Sequence, residues 1–550
     1  MEKILIHNFR KIKEAWELNL APITFLTGTN NSGKSSVMKA LMLLDGFGSS
    51  KNHFELNFNQ KHSRNHKIDC FSNAINRHNL KEKLYDLNFS IENKDYYIDY
   101  HFYPLESNDD RFEKGKLKSI KFTSKYDNSL FSITNLAGDE YQLSIDNSFI
   151  QHGNNHSDIA DEDNELINFQ NLKRDNEKEL ERLKASIKIS DEDNIFTNYP
   201  KWLKATSVEG AIKKIEANIK KLNKKIKDLE NNNVKDNQQF NPSFNLEDFA
   251  GSESIDKIIR RVLSKYFREN EKEIGLSNTN RDLFRLSSLG DIVVDALNLN
   301  VSHLTPNRNT QTRLYVNDSG NNDIYDIIKN LSENPIRKKS KADVFIKKWM
   351  SKEWKDKKHF DIGEDYNIKP IEGLASKIEI QENGDWINLV DKGFGAGQIF
   401  TIILRIANVI NEENNIKDQR SPRRFRKTTP LILIEEPEAN LHPAFQSLLA
   451  ELFLETWKEF GIQFIVETHS EYIIRNSQLL FVDYSKSDGS LFPAMRIQHN
   501  PFVVYYFDKD GPYEMKYLAN GKFDKNFGEG FYDEASKHSM KLILNQRKKD

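Results

Sequence analysis

The chain has 550 residues, 37% hydrophobic and 29% charged, which is enough apolar chain for two or three units with cores of their own. A net charge of -2 excludes a chain-wide electrostatic footprint for nucleic acid, so any such contact has to rest on local patches. The one cysteine, Cys70, excludes an internal disulfide and suits a reducing compartment.

Met1-Glu2-Lys3 leads into a strand rather than the apolar core of a secretory signal. No apolar run approaches the roughly 18 residues needed to cross a bilayer, so a cytoplasmic protein without membrane contact is expected. Next along the chain, Ile23-Thr24-Phe25-Leu26 reads as a buried strand and residues 36–44 as a helix. Between them Gly28-Thr29-Asn30-Asn31-Ser32-Gly33-Lys34-Ser35 fits G-x-x-x-x-G-K-[ST]. In that pattern the glycines let backbone N–H groups wrap phosphates, the lysine reaches the outer phosphates, and the Ser35 hydroxyl sits on Mg²⁺. Asn30, Asn31, Ser32, Gly33, Lys34, Ser35 and Ser36 are therefore candidate nucleotide contacts. The helix that follows turns its N-terminus toward the anion.

Residues 84–103 and 120–145 alternate apolar and polar side chains, as an antiparallel β-layer does. Asn-rich stretches around 146–163 and 231–245 read as linkers. Between them Ile212, Ile215, Ile219, Leu222, Ile226 and Leu229 recur at spacings of three and four, the seam of a coiled coil. Leu166, Phe169, Leu180, Leu183 and Ile187 repeat the seam less regularly, with Lys173 and Asn176 interrupting it. The two are predicted to form a short antiparallel helical hairpin over about 165–232, joined through 190–207. Lys213, Lys214, Lys220, Lys221, Lys224, Lys225 and Lys227 stud its second helix, either as a solvated face or as a nucleic-acid patch.

Asp391-Lys392-Gly393-Phe394-Gly395-Ala396-Gly397-Gln398 is a glycine-rich turn opening an apolar helix over 399–410. Arg420, Arg423, Arg424, Arg426 and Lys427 form a second basic patch. It precedes Leu431-Ile432-Leu433-Ile434-Glu435-Glu436-Pro437-Glu438, an apolar run ending in acids, as a central parallel strand delivers carboxylates to the carboxyl edge of a sheet. Clustered acids there call for a positive partner, which Mg²⁺ with a phosphate supplies. Glu435 would hold the metal through water, and Glu436 would orient or deprotonate an attacking water. Phe464-Ile465-Val466-Glu467-Thr468-His469-Ser470 is a further strand, ending in a histidine at the same edge. After it, Phe502-Val503-Val504-Tyr505-Tyr506-Phe507 reads as a strand turning at Asp508-Lys509-Asp510-Gly511 into a return over 513–517. The Asp-x-Asp of that turn is read as hairpin chemistry rather than a Toprim nuclease site, since no separate acidic strand accompanies it.

The order of phosphate loop, Gly-rich signature, acidic strand, Glu438-Ala439-Asn440-Leu441-His442-Pro443 and terminal histidine resembles the ABC-type ATPases of the RecF and SMC superfamily. More narrowly it is similar to the bacterial AAA-family ATPases of Septu, retron-Septu and PARIS phage-defence systems and to the heads of overcoming-lysogenisation-defect proteins. Ile4-Leu5-Ile6-His7-Asn8-Phe9-Arg10-Lys11, Leu304-Thr305-Pro306-Asn307-Arg308 with Arg313-Leu314-Tyr315, and Gly528-Glu529-Gly530-Phe531-Tyr532-Asp533-Glu534 resemble segments of that group. The likeness covers the N-terminal part and the chain from 301 onward, leaving 136–300 unmatched. Glu435 stands where many such enzymes carry Asp, and the signature lacks their usual serine.

The resemblance implies an α/β fold, a P-loop NTPase of the ABC type whose head carries the helical coiled-coil hairpin as an insertion. Its divisions would be an N-terminal lobe (1–135), an insertion (136–300), a C-terminal lobe (301–480) and a β-rich tail (481–550). It implies ATP and Mg²⁺ as cofactors, catalysis by Glu436 with His469, and metal contacts from Ser35 and Glu435. A head-to-tail homodimer or higher oligomer is implied, in which Gly393, Gly395, Gly397 and Gln398 of one subunit meet the ATP held by another. Gln60 is the candidate by position for a Mg²⁺-sensing glutamine. The activity implied is that of the ATPase and sensor subunit of an antiphage complex controlling a separate nuclease, HNH type favoured. The alternative is a DNA repair or recombination ATPase that clamps DNA, and possible nucleic acid contact is common to both.

Overall fold

The computed structural model describes residues 1–58, 68–105, 112–146, 208–232, 239–249, 254–270, 280–306, 312–316, 323–372, 375–418, 429–487 and 500–528, with a few single positions such as Phe149, Arg308 and Tyr532. Five strands lie side by side in parallel: Val301–Leu304, Leu431–Glu435, Gln463–Glu467, Ile23–Gly28 and Phe502–Phe507. Pro512–Glu514 closes the edge antiparallel. Every residue of Ile23–Gly28 and of Gln463–Glu467 is buried, which is why both read as unbroken apolar runs rather than alternations.

This sheet separates two cores. Leu26, Leu431, Leu433, Ile465 and Phe507 point into the first, with helix Lys34–Gly48. Their neighbours Phe25, Ile432, Ile434, Phe464, Val466 and Val504 point into the second, with helices Phe394–Asp418 and Pro443–Phe460. The period of two along each strand thus decides which half of the molecule a side chain holds together.

A second sheet, antiparallel, covers the first core. Its order is Gln239–Phe240, Glu140–Asp146, Leu130–Ala137, Gly115–Ser124, Tyr96–Pro104, Leu87–Glu92, Lys3–His7 and Trp16–Asn19. Alternating burial along Leu87–Glu92 and Glu140–Asp146 is the pattern that the sequence displays. The layer runs past residue 135, however, and takes up chain from the stretch 231–245 read as a linker. Helices Ile255–Glu269 and Asn280–Leu297 also deliver Ile255, Ile259, Leu263, Leu289, Val293 and Leu297 to the first core. Residues 239–249, 254–270 and 289–300 accordingly contribute to the N-terminal lobe's core rather than to an insertion, because their apolar faces have that core to fill.

Two further expectations change. The strand Phe502–Phe507, assigned to a separate tail, pairs in parallel with Ile23–Gly28 from Ile23↔Phe502 to Gly28↔Phe507. The hairpin after it is present, but its return is Pro512–Glu514. Residues Phe394–Glu413 are long and apolar enough to cross a membrane, contrary to the sequence reading, and 78% of the apolar window is buried inside the protein. Packing in the second core accounts for that composition.

Of the coiled-coil hairpin, helix Val208–Asn232 is described. Ile215 and Leu222, seven residues apart, are buried, while Lys213, Lys214, Lys220, Lys221, Lys224 and Lys225 are exposed. Lys173, Asn176, Glu177 and Leu180 of the first arm are helical; the rest of that arm, the 190–207 connection, Gln60 and the Arg420–Lys427 patch lie outside the described residues.

Candidate nucleotide site

The phosphate loop leaves the sheet beside the strand Phe502–Phe507. Thr29 donates its N–H to Phe507 O at 3.0 Å, and Ser32 Oγ donates to Thr29 O at 2.7 Å. Gly28 has φ +129°, and a Cβ there would fall 2.1 Å from Phe507 O. Only glycine fits that position. We expect Gly28→Ala to destabilise the fold by about 3 kcal/mol, read as a clear drop in melting temperature; an unchanged melting curve would show that the loop does not depend on this close approach.

Gly33, in the left-handed region, precedes helix Lys34–Gly48, whose N-terminus carries no side-chain cap. The first N–H groups of the helix, with its dipole, are thereby presented to an anion. Asn30 and Asn31 are exposed at the crest of the loop, and Ser36 is buried behind it. Lys34 is 3% exposed and folds back over the loop, donating to Thr29 O at 2.8 Å and Gly28 O at 3.2 Å. Burial lowers its pKa, against the opposing pull of Glu467 and Glu436.

Three carboxylates gather at the strand ends beside the loop. Glu435 and Glu467 are direct neighbours in adjacent parallel strands, and Glu436 donates its N–H to Glu467 O at 2.7 Å. Glu467 is 7% exposed. It accepts the Ser35 hydroxyl at 2.9 and 3.2 Å and lies 3.9 Å from Lys34 Nζ. Burial pushes its pKa up to about 7, which Glu435 and Glu436 reinforce while Ser35 and Lys34 oppose it. Glu435 Oε1 meets His303 Nε2 at 3.1 Å.

His469 follows at the same edge, half-buried, its N–H bonded to Glu438 Oε1 at 2.6 Å. Glu438 also accepts from Thr468 Oγ1 at 2.8 Å. Burial, then the charge of Lys34, lowers the His469 pKa, so the imidazole is neutral at pH 7 and able both to donate and to accept.

The signature is placed differently from the sequence expectation. Gly393 is exposed and Gly395 lies at the surface against Asn440, whose O would be 3.1 Å from a Cβ at Gly395. Gly397 and Gln398, both expected to face a nucleotide, are buried. Gln398 is 0% exposed, and its Oε1 accepts from Arg308 Nη1 at 3.2 Å. One turn into the helix, residue 398 faces the interior because the helix buries that side in the second core.

The residues fit a nucleotide and a cation. The cradle that a Cβ would fill, the uncapped helix and Lys34 suit a polyphosphate; Ser35 Oγ with Glu467 and Glu435 is an all-oxygen set suited to Mg²⁺. Among the described residues no three His, Cys, Asp or Glu side chains form a cation site by themselves. Mg²⁺ commonly takes one or two protein groups plus substrate phosphates, so this set suits an ion that arrives with the nucleotide. Glu467, His303 and Arg308 carry no role in the sequence reading. Glu467 had a usable signal, an acid closing an apolar strand two residues before His469.

The strand order, loop and acidic edge define a P-loop ATPase head of the ABC type. Residues 1–474 match the AAA ATPase domain family, and the chain belongs to that family. Uncharacterized protein MJECL44 of Methanocaldococcus jannaschii is 33% identical over 92 residues, which are 15% of this chain. The chain spans only 27% of the length of that relative. Among solved structures, the Smc head domain with an extended coiled coil from Pyrococcus furiosus, bound to the C-terminal domain of ScpA, is 13% identical over 99% of both chains, with a TM-score of 0.30. The SMC head domain from Thermotoga maritima is 9% identical over 94% of this chain and 98% of its own, with a TM-score of 0.29. These two likenesses are too weak to add to the family assignment.

Proposed function

We propose that the protein is a Mg²⁺-dependent ATP hydrolase that pairs head to tail with a second copy and serves as the sensor subunit of an antiphage complex, controlling a separate nuclease. The observation that carries the hydrolase is the convergence of Lys34, Ser35, Glu435, Glu436 and Glu467 on one sheet edge. Lys34 exchanges its two loop carbonyls for phosphate oxygens, and the loop N–H groups hold the rest. Ser35 and Glu435 would hold the cation, with Glu467 accepting the Ser35 hydroxyl beside it. Mg²⁺ held there would supply neutralisation of the charge on the phosphoryl group in transfer. Glu436 orients the attacking water and takes its proton, and neutral His469 hydrogen-bonds beside it.

The defence role is supported by the resemblance in motif order. Its test is reconstitution of the full chain with an HNH nuclease encoded beside it: DNA cleavage that switches with ATP and stops in a Glu436→Gln chain is expected. Cleavage indifferent to both would remove the regulatory role while leaving the hydrolase standing.

The exposed lysines of helix Val208–Asn232 favour nucleic acid as a contact in either this role or a DNA-clamping one. Changing Lys220, Lys221, Lys224 and Lys225 to Glu is expected to weaken DNA binding and leave basal ATP hydrolysis unchanged. Wild-type affinity should fall steeply with added salt as counterion release is lost. Undiminished binding by the charge-reversed chain would return these lysines to a solvated face.

A further inference from the structure

Arg308 lies outside the nucleotide loop and the acidic strand, yet it joins the second of these to the signature. Its guanidinium is 0% exposed. Nη2 donates to Glu435 O at 2.6 Å and to Glu436 O at 2.8 Å, while Nη1 donates to Gln398 Oε1 on the signature helix at 3.2 Å. The two carbonyls belong to the peptide units on either side of the Glu436 Cα, whose φ of +44° is a backbone conformation that costs a side-chain-bearing residue free energy unless its surroundings hold it. Arg308 supplies that hold. The charges of Asp323, Glu438, Glu436 and Glu435 compensate the buried cation.

Stability alone is a poor reason for such a group. Apolar residues of similar volume commonly replace a buried charge network without loss, and here the network is incomplete: Arg308 Nε and Gln398 Nε2 are buried without a partner among the described residues. A half-satisfied network costs free energy, which points to a use in positioning.

We propose that Arg308 and Gln398 form a rigid link through which the signature turn of a chain sets the placement of that chain's own Glu436. The inference rests on the head-to-tail pairing proposed above, where a signature turn serves the nucleotide held by the other copy. A chain's Glu436 then reaches its working position when its signature turn is engaged, so each site senses occupancy of the other. Arg308 is a positioning residue, and so is Gln398; neither touches the reacting atoms.

The test measures ATP hydrolysis against ATP concentration for the full chain and its Gln398→Met, Gln398→Glu and Arg308→Lys variants. ATP affinity, melting temperature and the ATP-dependent mass of the Glu436→Gln chain are measured alongside. Wild type is expected to hydrolyse cooperatively, with a Hill coefficient well above one. Gln398→Met, which keeps volume and removes the acceptor, is expected to lose that cooperativity and about tenfold in turnover, with ATP affinity within about twofold. Gln398→Glu keeps an acceptor for Arg308 and should restore cooperativity, an outcome that simple core damage would not give. Arg308→Lys, which cannot reach three acceptors at once, should behave like Gln398→Met. A dimer with a Hill coefficient of one in wild type, or full cooperativity in folded Gln398→Met, overturns the link alone. Failure of Glu436→Gln to dimerise with ATP overturns the pairing, and the link with it. If Gln398→Met does not fold, the Arg308→Lys and Gln398→Glu pair decides: equal behaviour of the two overturns the link.

Discussion

Lys34→Ala is expected to abolish ATP binding, whereas Glu436→Gln is expected to bind ATP with near wild-type affinity and lose about a thousandfold in turnover. The difference follows from what each side chain does. Lys34, almost wholly buried, rests on the carbonyls of Gly28 and Thr29, so in the ground state it can exchange two neutral acceptors for charged phosphate oxygens. Its loss removes binding energy from substrate and transition state alike. Glu436 stands at the strand end with its backbone fixed by Glu467 O and Arg308, and in the proposed mechanism it acts on water only as the reaction proceeds. An amide there keeps shape and removes the base. Calorimetric titration with ATP and a steady-state phosphate assay on both variants check the distinction, and equal loss of affinity would defeat it.

His469→Ala should slow hydrolysis about a hundredfold, as removal of a positioned catalytic group does, with no loss of fold. The side chain is half-buried and its pKa lies below the ordinary histidine value through burial and the Lys34 charge. Neutral imidazole is therefore the form that the proposed role uses. Protonation below that lowered pKa would add a second cation beside Lys34 and alter the hydrogen bond offered to water. Turnover slowed about a hundredfold with a retained melting temperature supports the role; a collapsed melting temperature with normal turnover in the residual folded protein would make His469 structural. The neighbouring Glu438, which accepts the His469 N–H and the Thr468 hydroxyl, is the better candidate for that structural duty.

Much of this edge was legible because its signals are local. Gly28 to Ser35 carries its own spacing, and Leu431 to Glu436 announces a buried strand that ends in charge. What could not be read depends on contacts between distant segments. Glu467 becomes significant only when its strand lies between the acidic strand and the phosphate loop and Ser35 turns toward it. Gln398 looked like a ligand because it closes a glycine-rich turn, but helical geometry carries it inward, where Arg308, 90 residues away in sequence, meets it. The fold was misread for the same reason. Helices Ile255–Glu269 and Asn280–Leu297 fall in the stretch 136–300 that the family resemblance leaves unmatched and so assigns to an insertion, whereas their apolar faces fill the core beneath the antiparallel sheet. Phe502–Phe507 follows a long polar segment, and nothing in its own composition tells a central strand from a tail.

Glu436, rather than the neighbouring Glu467, is expected to act on the water. Single-turnover hydrolysis of ATP in saturating Mg²⁺, run side by side on Glu436→Gln and Glu467→Gln chains, tests it most directly. Almost no product is expected from Glu436→Gln and a loss of no more than about tenfold from Glu467→Gln, whose deficit should appear instead as a higher Mg²⁺ requirement. Rapid hydrolysis by Glu436→Gln together with an inactive Glu467→Gln would contradict it.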